Sequence, residues 1–342
     1  MTIAEILARF PHLSALVVGD ICLDRWCTYD PAASEPSRET GIPRIGVVRT
    51  EVTPGAGGTV ANNLAALGAG RVAVMGAIGL DGFGVELSES LAARGISTDL
   101  CVRTPAMQTF TYTKAINVRT GIEDQPRLDF INTTPLPAEV ERRILDNLQM
   151  AVDSYDIILI ADQAETSQGG VITPAVRDLL AELAPQYPER IFFADSRARI
   201  HLFRNVILKP NRQEAESACR ELFGRVDLPA LLRHAQSPLM FVTEGPDGVL
   251  IVGQDSSPAR VLQNAPVANP IDICGAGDSF SAGASLVLRV TGSPAEAARF
   301  GNLVASITIM KKGTGTASPE EVLAAHARVE AQLNVRETNA GD

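Results

Sequence analysis

Short apolar runs of strand length alternate with helical patterns along most of this chain, and that alternation restricts the fold more than any other feature. Ala15–Val18 is an apolar run ended by Gly19-Asp20, as expected for a strand covered on both faces. Comparable runs follow at Arg71–Ile78, Ile157–Ala161, Arg190–Ala194, Val206–Leu208 and Leu239–Val242. Helical patterns separate them at Ala61–Leu67, Phe83–Arg94, Ala138–Val152, Pro174–Leu183 and Arg212–Phe223. The expected fold is therefore α/β, a doubly wound and mostly parallel sheet with helices on both faces.

Two stretches break the alternation. Thr28–Pro54 is rich in Pro, Ser, Thr and Gly around a β-prone piece at Pro43–Val48, while Thr109–Val118 and Gln125–Ile131 read as strands with no helix between them. These predict a small β lid, built from about residues 27–54 and 107–131, projecting from the sheet edge. From Gly277 onward the pattern is helical, at Asp278–Val290, Pro294–Ile309 and Pro319–Gln332. Residues 1–331 are expected to form one domain, and the polar residues 332–342 a disordered tail.

Composition narrows the function. The net charge is −10 and aromatics make up 5% of the residues, which opposes a nucleic-acid partner; anions must be bound locally, by backbone N–H groups and a few placed cations. Five scattered cysteines contain no CxxC pair, and the four histidines cluster with none of them, so neither a zinc site nor a disulfide framework is expected. The first residues lack the basic and apolar regions of a signal peptide, and no apolar run approaches a membrane span; the expected location is the cytoplasm.

The segment richest in chemistry is Asp272-Ile273-Cys274-Gly275-Ala276-Gly277-Asp278, directly before a long apolar helix. Small residues at Gly275, Ala276 and Gly277 let N–H groups converge at a helix start, where partial positive charge favours a phosphoryl group. Asp278, in the first turn, stands where a carboxylate takes the proton of an attacking hydroxyl. A plain glycine turn with an Asp cap is the competing account of the same residues. Spacing removes two other nucleotide sites. The chain has no Gly-Lys followed by Ser or Thr, and the six-residue windows from Gly55 and Gly275 end in Val60 and Phe280, where a dinucleotide fingerprint needs Gly or Ala.

With its neighbours in order, this segment resembles the C-terminal signature of the ribokinase-like, or phosphofructokinase-B, carbohydrate kinases. The other stations are Gly19-Asp20 through Asp24, Pro54-Gly55-Ala56-Gly57-Gly58-Thr59, Lys209-Pro210-Asn211-Arg212-Gln213-Glu214 and Thr243-Glu244-Gly245-Pro246-Asp247-Gly248. The resemblance implies ATP-dependent phosphorylation of a hydroxyl of a sugar or sugar phosphate. Asp278 would be the base and Gly275–Gly277 the anion hole. Asp24, Gly55, Gly57, Gly58, Thr59 and Lys114 would bind the acceptor, and Lys209, Asn211, Thr243, Gly245, Gly248 and Asn302 the nucleotide. Glu214 would hold Mg²⁺ through water, because Mg²⁺ keeps most of its hydration shell. Asp272, with the loop Lys311–Thr316, would hold K⁺. A homodimer through the lid is a further expectation.

Within the family the chain is most similar to the heptose-7-phosphate kinases, through Leu23-Asp24-Arg25, Asn62-Asn63-Leu64, Thr113-Lys114, Arg127–Phe130 and Gly313–Pro319. It departs from them at Ala56 and Thr59, across the lid segment Ser34–Pro43, and at Gln163-Ala164-Glu165-Thr166. The sequence also stops before the second half of their two-part enzyme would begin. Lys209, Lys114, Arg38, Arg44 and Arg127 suit a substrate that already carries a phosphate. The alternatives are a nucleoside kinase, for which Trp26, Tyr29, Phe110 and Tyr112 offer few wall residues, and a catalytically dead binding regulator, which would need neither Asp278 nor Glu214.

Overall fold

The structure is a computed structural model that describes all residues except Glu165, Ser167, 255–257, 263–266, Ala268 and 340–342, together with the side chains from Gln332 onward. Its strands are β1 (Ser14–Gly19), β2 (Ile21–Tyr29), β3 (Val47–Ala56), β4 (Arg71–Met75), β5 (Ala77–Gly79), β6 (Ile96–Ser97), β7 (Val102–Thr104), β8 (Thr111–Asn117), β9 (Leu128–Phe130), β10 (Ile157–Asp162), β11 (Ile191–Ser196), β12 (Ile207–Leu208), β13 (Leu239–Thr243), β14 (Val249–Gly253) and β15 (Ala259–Val261). The helices are α1 (Ile3–Leu7), α2 (Gly57–Ala66), α3 (Gly82–Ala92), α4 (Ala138–Ala151), α5 (Pro174–Leu183), α6 (Arg212–Phe223), α7 (Leu228–His234), α8 (Ala276–Thr291), α9 (Pro294–Thr308) and α10 (Pro319–Asn339).

The main sheet runs β15-β14-β13-β12-β11-β10-β1-β4-β6, parallel from β13 to β6 and antiparallel at the β14 and β15 end. Successive side chains of a strand point to opposite faces, and β1 divides accordingly. Ala15 and Val17 pack in a core with Leu64, Phe280 and Phe300, whereas Leu16 and Val18 join Ile144, Val176 and Phe203 on the other side. Both faces of the sheet are thus covered, as the unbroken apolar runs required. β1 pairs with β4 on one edge and β10 on the other, so the strand order reverses there, and ligands of open α/β sheets gather outside the strand ends at such a reversal.

A second sheet, ordered β3-β2-β8-β9, stands apart; β2 pairs antiparallel with β3 and parallel with β8. It occupies the region read as a β appendage, with two differences. The apolar run ends at Gly19-Asp20 and the lid is expected from about residue 27, yet Ile21–Tyr29 is a nine-residue strand, with Asp24 within it opposite Thr53 and Tyr112. The strand placed at Pro43–Val48 instead begins at Val47 and continues through the glycine segment to Ala56. Pro54 concealed it in the sequence, but β3 is an edge strand, where a missing N–H is tolerated.

The run Arg71–Ile78 is split at Gly76, where a Cβ would lie 2.4 Å from Gly19 O; β5 leaves the main sheet and pairs with β7. α10 continues past Gln332 to Asn339, into the segment expected to be a disordered tail. Among the described residues no helix is long and apolar enough to cross a membrane.

Candidate active site

The loop expected to bind an anion depends on one backbone conformation. Gly275 caps α8 in the left-handed region, at φ +80°, which a side chain rarely adopts. A Cβ there would also come within 3.3 Å of Thr59 Cγ2 and 3.4 Å of Thr314 Cγ2, so the loop is gripped from both sides. Ser279 N–H bonds Gly275 O at 2.9 Å, and Ala276 N–H bonds Ile273 O at 3.2 Å. The N–H groups of Gly277 and Asp278, in the first turn, have no carbonyl four residues back within the helix to bond.

Gly275, Ala276, Gly277 and Asp278 line a cleft of about 720 Å³ together with Lys209, Asn211, Glu214, Thr243, Gly245, Gly248 and Asn302. Every residue expected on the nucleotide side therefore meets there. Lys209–Asn211 follows β12 and Thr243 ends β13; the two segments touch through Thr243 N–H to Pro210 O at 3.0 Å. Asn211 and Glu214 form a reciprocal capping box on α6, Asn211 N–H to Glu214 Oε2 at 2.7 Å and Glu214 N–H to Asn211 Oδ1 at 2.9 Å. Glu214 is thus a helix-capping carboxylate through Oε2, while the residue still faces the cleft.

Charge is concentrated around Lys209. This buried ammonium lies 2.9 Å from Asp195 Oδ2, and although burial works against its charge, Asp195, Glu214 and Asp278 more than offset that and raise its pKa. Asp278 keeps part of its surface open to the cleft but sits deep in protein. Its pKa is pushed up to about 7, chiefly by desolvation and then by the negative charges of Asp195 and Asp24, against Lys209 and Arg197. Burial likewise raises Glu214. The sequence reading missed Asp195, Arg197 and Gln163 as cleft residues. The available signal was position, since Asp195 and Ser196 end a parallel strand at the edge where ligands gather.

The acceptor-side residues come from the second sheet and the start of α2. Asp24 is half-buried and its pKa is pushed up to about 6, first by desolvation and also by Asp129, with Lys114 and Arg127 opposing. Gly55 is confined by that carboxylate, since a Cβ would lie 2.7 Å from Asp24 Oδ1; Gly57 packs on Ile21 and Gly58 on Pro54. Lys114 Nζ lies 4.5 Å from the centroid of the Trp26 ring. Thr59 differs from expectation. It is fully buried and its hydroxyl donates to Pro54 O at 3.1 Å, so it gives the site a methyl against Gly275 rather than a hydroxyl for a sugar.

The two groups of residues meet at the anion loop. The Asp24 charge helps to raise the pKa of Asp278, and Cys274 feels Lys114, Asp24, Asp272 and Asp278 together. Asp272 faces inward as a staple, Oδ1 accepting from Cys274 N–H at 2.9 Å and Oδ2 from Gly313 N–H at 3.2 Å. Asp20, which had no assigned role, is buried and accepts N–H bonds from Gln163, Ala164 and Val171 at 2.7–2.8 Å, fixing the loop after β10 beside the cleft.

An open α/β sheet with a helix-start anion loop and a separate four-stranded sheet over it defines the ribokinase-like architecture. Solved structures agree: phosphofructokinase-2 from Escherichia coli in complex with substrates and products superposes with a TM-score of 0.68 at 18% identity, covering 93% of this chain and 100% of that one. Ribokinase from Thermotoga maritima gives 0.67 at 20%, covering 92% and 99%. A family profile for pfkB carbohydrate kinases matches residues 15–321, and the chain belongs to that family. Among curated relatives, the bifunctional protein HldE of Pelobacter propionicus is 31% identical over 95% of this chain and 66% of its own length, and that of Rhodopseudomonas palustris 30% over 97% and 69%. The chain spans about two thirds of the length of these relatives, which are of the branch its motifs resemble.

Proposed function

We propose that this protein transfers the γ-phosphoryl group of ATP to a hydroxyl of a sugar or sugar phosphate. The observation that carries the reading is the placement of Asp278 and the first-turn N–H groups of α8 in one cleft with Lys209 and Glu214, within electrostatic reach of Asp24 on the second sheet. Asp24 orients the acceptor by accepting hydroxyl hydrogens, which sets the attacking oxygen in line. That oxygen forms a bond to the γ-phosphorus as the bond to the β-bridging oxygen breaks, and its proton passes to Asp278. At a pKa of about 7 Asp278 is available as a base near neutrality and gains a proton readily. The N–H groups of Gly277 and Asp278 and the Lys209 ammonium meet the charge on the transferring oxygens.

Among the described residues no group of three or more His, Cys, Asp or Glu forms a metal cage. That suits Mg²⁺, which is carried mainly by water and phosphate. Glu214, with Oε2 engaged in its cap, would hold such an ion through water, and the ion would neutralise phosphate charge. The buried, unpartnered Thr314 Oγ1 beside the anion loop is a fitting oxygen for K⁺. Lys114 and Arg127, which both act on Asp24, favour an acceptor carrying a phosphate. Val47, Val48 and Leu128 expose 48%, 60% and 62% of their surface on the second sheet, which supports pairing with a second copy through it. Sedimentation velocity tests that pairing. ADP release measured over a panel of sugars, sugar phosphates and nucleosides tests the activity. Turnover restricted to nucleosides, or absent throughout, would discard the sugar reading.

A further inference from the structure

We propose that Trp26 is a positioning residue that ties the acceptor sheet to the anion loop; the inference rests on the kinase reading above and deepens it. Trp26 lies two residues beyond Asp24 on β2, hence on the same face of the sheet. It does not line the nucleotide cleft. Its register neighbour on β8 is Lys114, whose ammonium stands over the indole.

The far edge of the indole rests on Gly313. A methyl group at Gly313 would come within 3.3 Å of Trp26 Cζ2 and 3.7 Å of Cε2, and this buried glycine holds φ +74°, so the indole packs against bare backbone. Two links run onward from that point. Gly313 N–H donates to Asp272, whose other oxygen accepts from Cys274 N–H, immediately before the anion loop. The next residue, Thr314, places its methyl against Gly275 itself, opposite Thr59. A single two-residue step thus carries the indole on one side and the anion loop on the other.

The path has a chemical consequence. A ligand that engages Asp24 or draws the Lys114 ammonium away reaches the face of Trp26 at the same time. Movement of the indole bears on Gly313-Thr314, and hence on the left-handed Gly275 that aims the first-turn N–H groups. An anion loop supported in this way is ordered best when the sheet is seated, which limits transfer of the phosphoryl group to water. Coupling of this kind is reciprocal, so nucleotide binding must also be felt at Trp26.

That reciprocity makes the test direct, because the sequence has a single tryptophan. The magnesium complex of the non-hydrolysable ATP analogue AMP-PNP is titrated into the full chain, with binding followed in parallel by calorimetry and by tryptophan emission. The expected result is an emission change that saturates with the calorimetric Kd. Trp26→Ala should weaken AMP-PNP binding at least fivefold and raise the ratio of acceptor-free ATP hydrolysis to sugar phosphorylation. Trp26→Phe, which keeps a ring on Gly313, should stay within about twofold of the wild type in both, and if Trp26→Ala does not fold the wild-type emission titration decides. Calorimetric binding by the wild-type chain with silent emission, or an unchanged Kd and hydrolysis ratio in Trp26→Ala, overturns the role of Trp26 and leaves the cleft assignment standing. Absence of calorimetric binding by the wild-type chain overturns the nucleotide cleft itself, and this inference with it.

Discussion

The cleft we assign to the nucleotide is organised by buried charge, whereas the sheet we assign to the acceptor is organised by strand pairing and stacked side chains. In the cleft, Lys209 is locked to Asp195, and Glu244, with 5% of its side chain exposed, lies 2.7 Å from both Arg212 and Arg260, holding the Gly245–Gly248 turn. On the sheet, Asp24 is placed by its pairing with Thr53 and Tyr112, Lys114 rides on Trp26, and Arg127 stacks 5.3 Å from the Tyr112 ring. A triphosphate presents the same charges to every enzyme that uses it, so fixed ions suit it. A sugar must be chosen among similar shapes, and a sheet whose face is set by a few exchangeable side chains suits that choice.

Perturbing each side separately should sharpen the contrast. The largest effect belongs to the point where the two meet. Asp278→Asn should lower kcat by about 10²–10⁴-fold, the usual worth of a positioned base. AMP-PNP affinity in the same variant should change by less than about twofold, by calorimetry, since the Asn keeps the shape of the loop. Near-normal turnover in that variant would remove Asp278 from the chemistry.

The next effect is in pH. With Asp278 raised to about 7, kcat/KM should rise with pH and level off above that value, falling about tenfold per unit below it. Below about 6 the slope should steepen as Asp24 also takes up a proton. The same shift acts on stability in the opposite sense. A carboxyl whose folded pKa lies above its ordinary value of 3.8 binds its proton more tightly when folded, so it costs stability as pH rises from about 4 to about 7. Asp278→Asn should therefore have a higher Tm than the wild type at pH 8, with the gap closing at pH 4.

Smaller effects should separate the two regions. Lys114→Met is expected to raise the acceptor KM about tenfold, the worth of one charge-assisted hydrogen bond, and, by baring the face of Trp26, to weaken AMP-PNP binding by about twofold at most. A loss of nucleotide binding as large as the rise in acceptor KM would mean that Lys114 contacts both substrates directly. Glu244→Gln should do the reverse and more weakly, raising the ATP KM about two- to fivefold with the acceptor KM unchanged, because it loosens a partly exposed ion network rather than a direct contact.

The two regions were also unequally legible. Lys209, Asn211, Glu214, Thr243 and the Gly275–Asp278 segment are short contiguous motifs at strand ends, and they line the cleft as read. The acceptor side was harder. The strand Ile21–Tyr29 carries polar Asp24 and Arg25 among apolar residues, and the edge strand β3 contains Pro54 and Gly55, so both looked like loops until their mutual pairing was known. Asp195 lay in no motif and Asp20 had no role within its own; one is defined by Lys209, and the other by three N–H groups more than 140 residues away.

By itself the sequence determined the strand and helix alternation and picked out the short segments around Lys209, Thr243 and Gly275 that line one cleft, because periodicity and turn preferences act within a few residues. Only the tertiary structure decided that Thr59 turns its hydroxyl inward, that Asp195 and Asp24 raise Asp278, and that Trp26 rests on Gly313. Those outcomes depend on burial and on charges brought together from distant segments, and desolvation is a property of the assembled volume rather than of any stretch of chain.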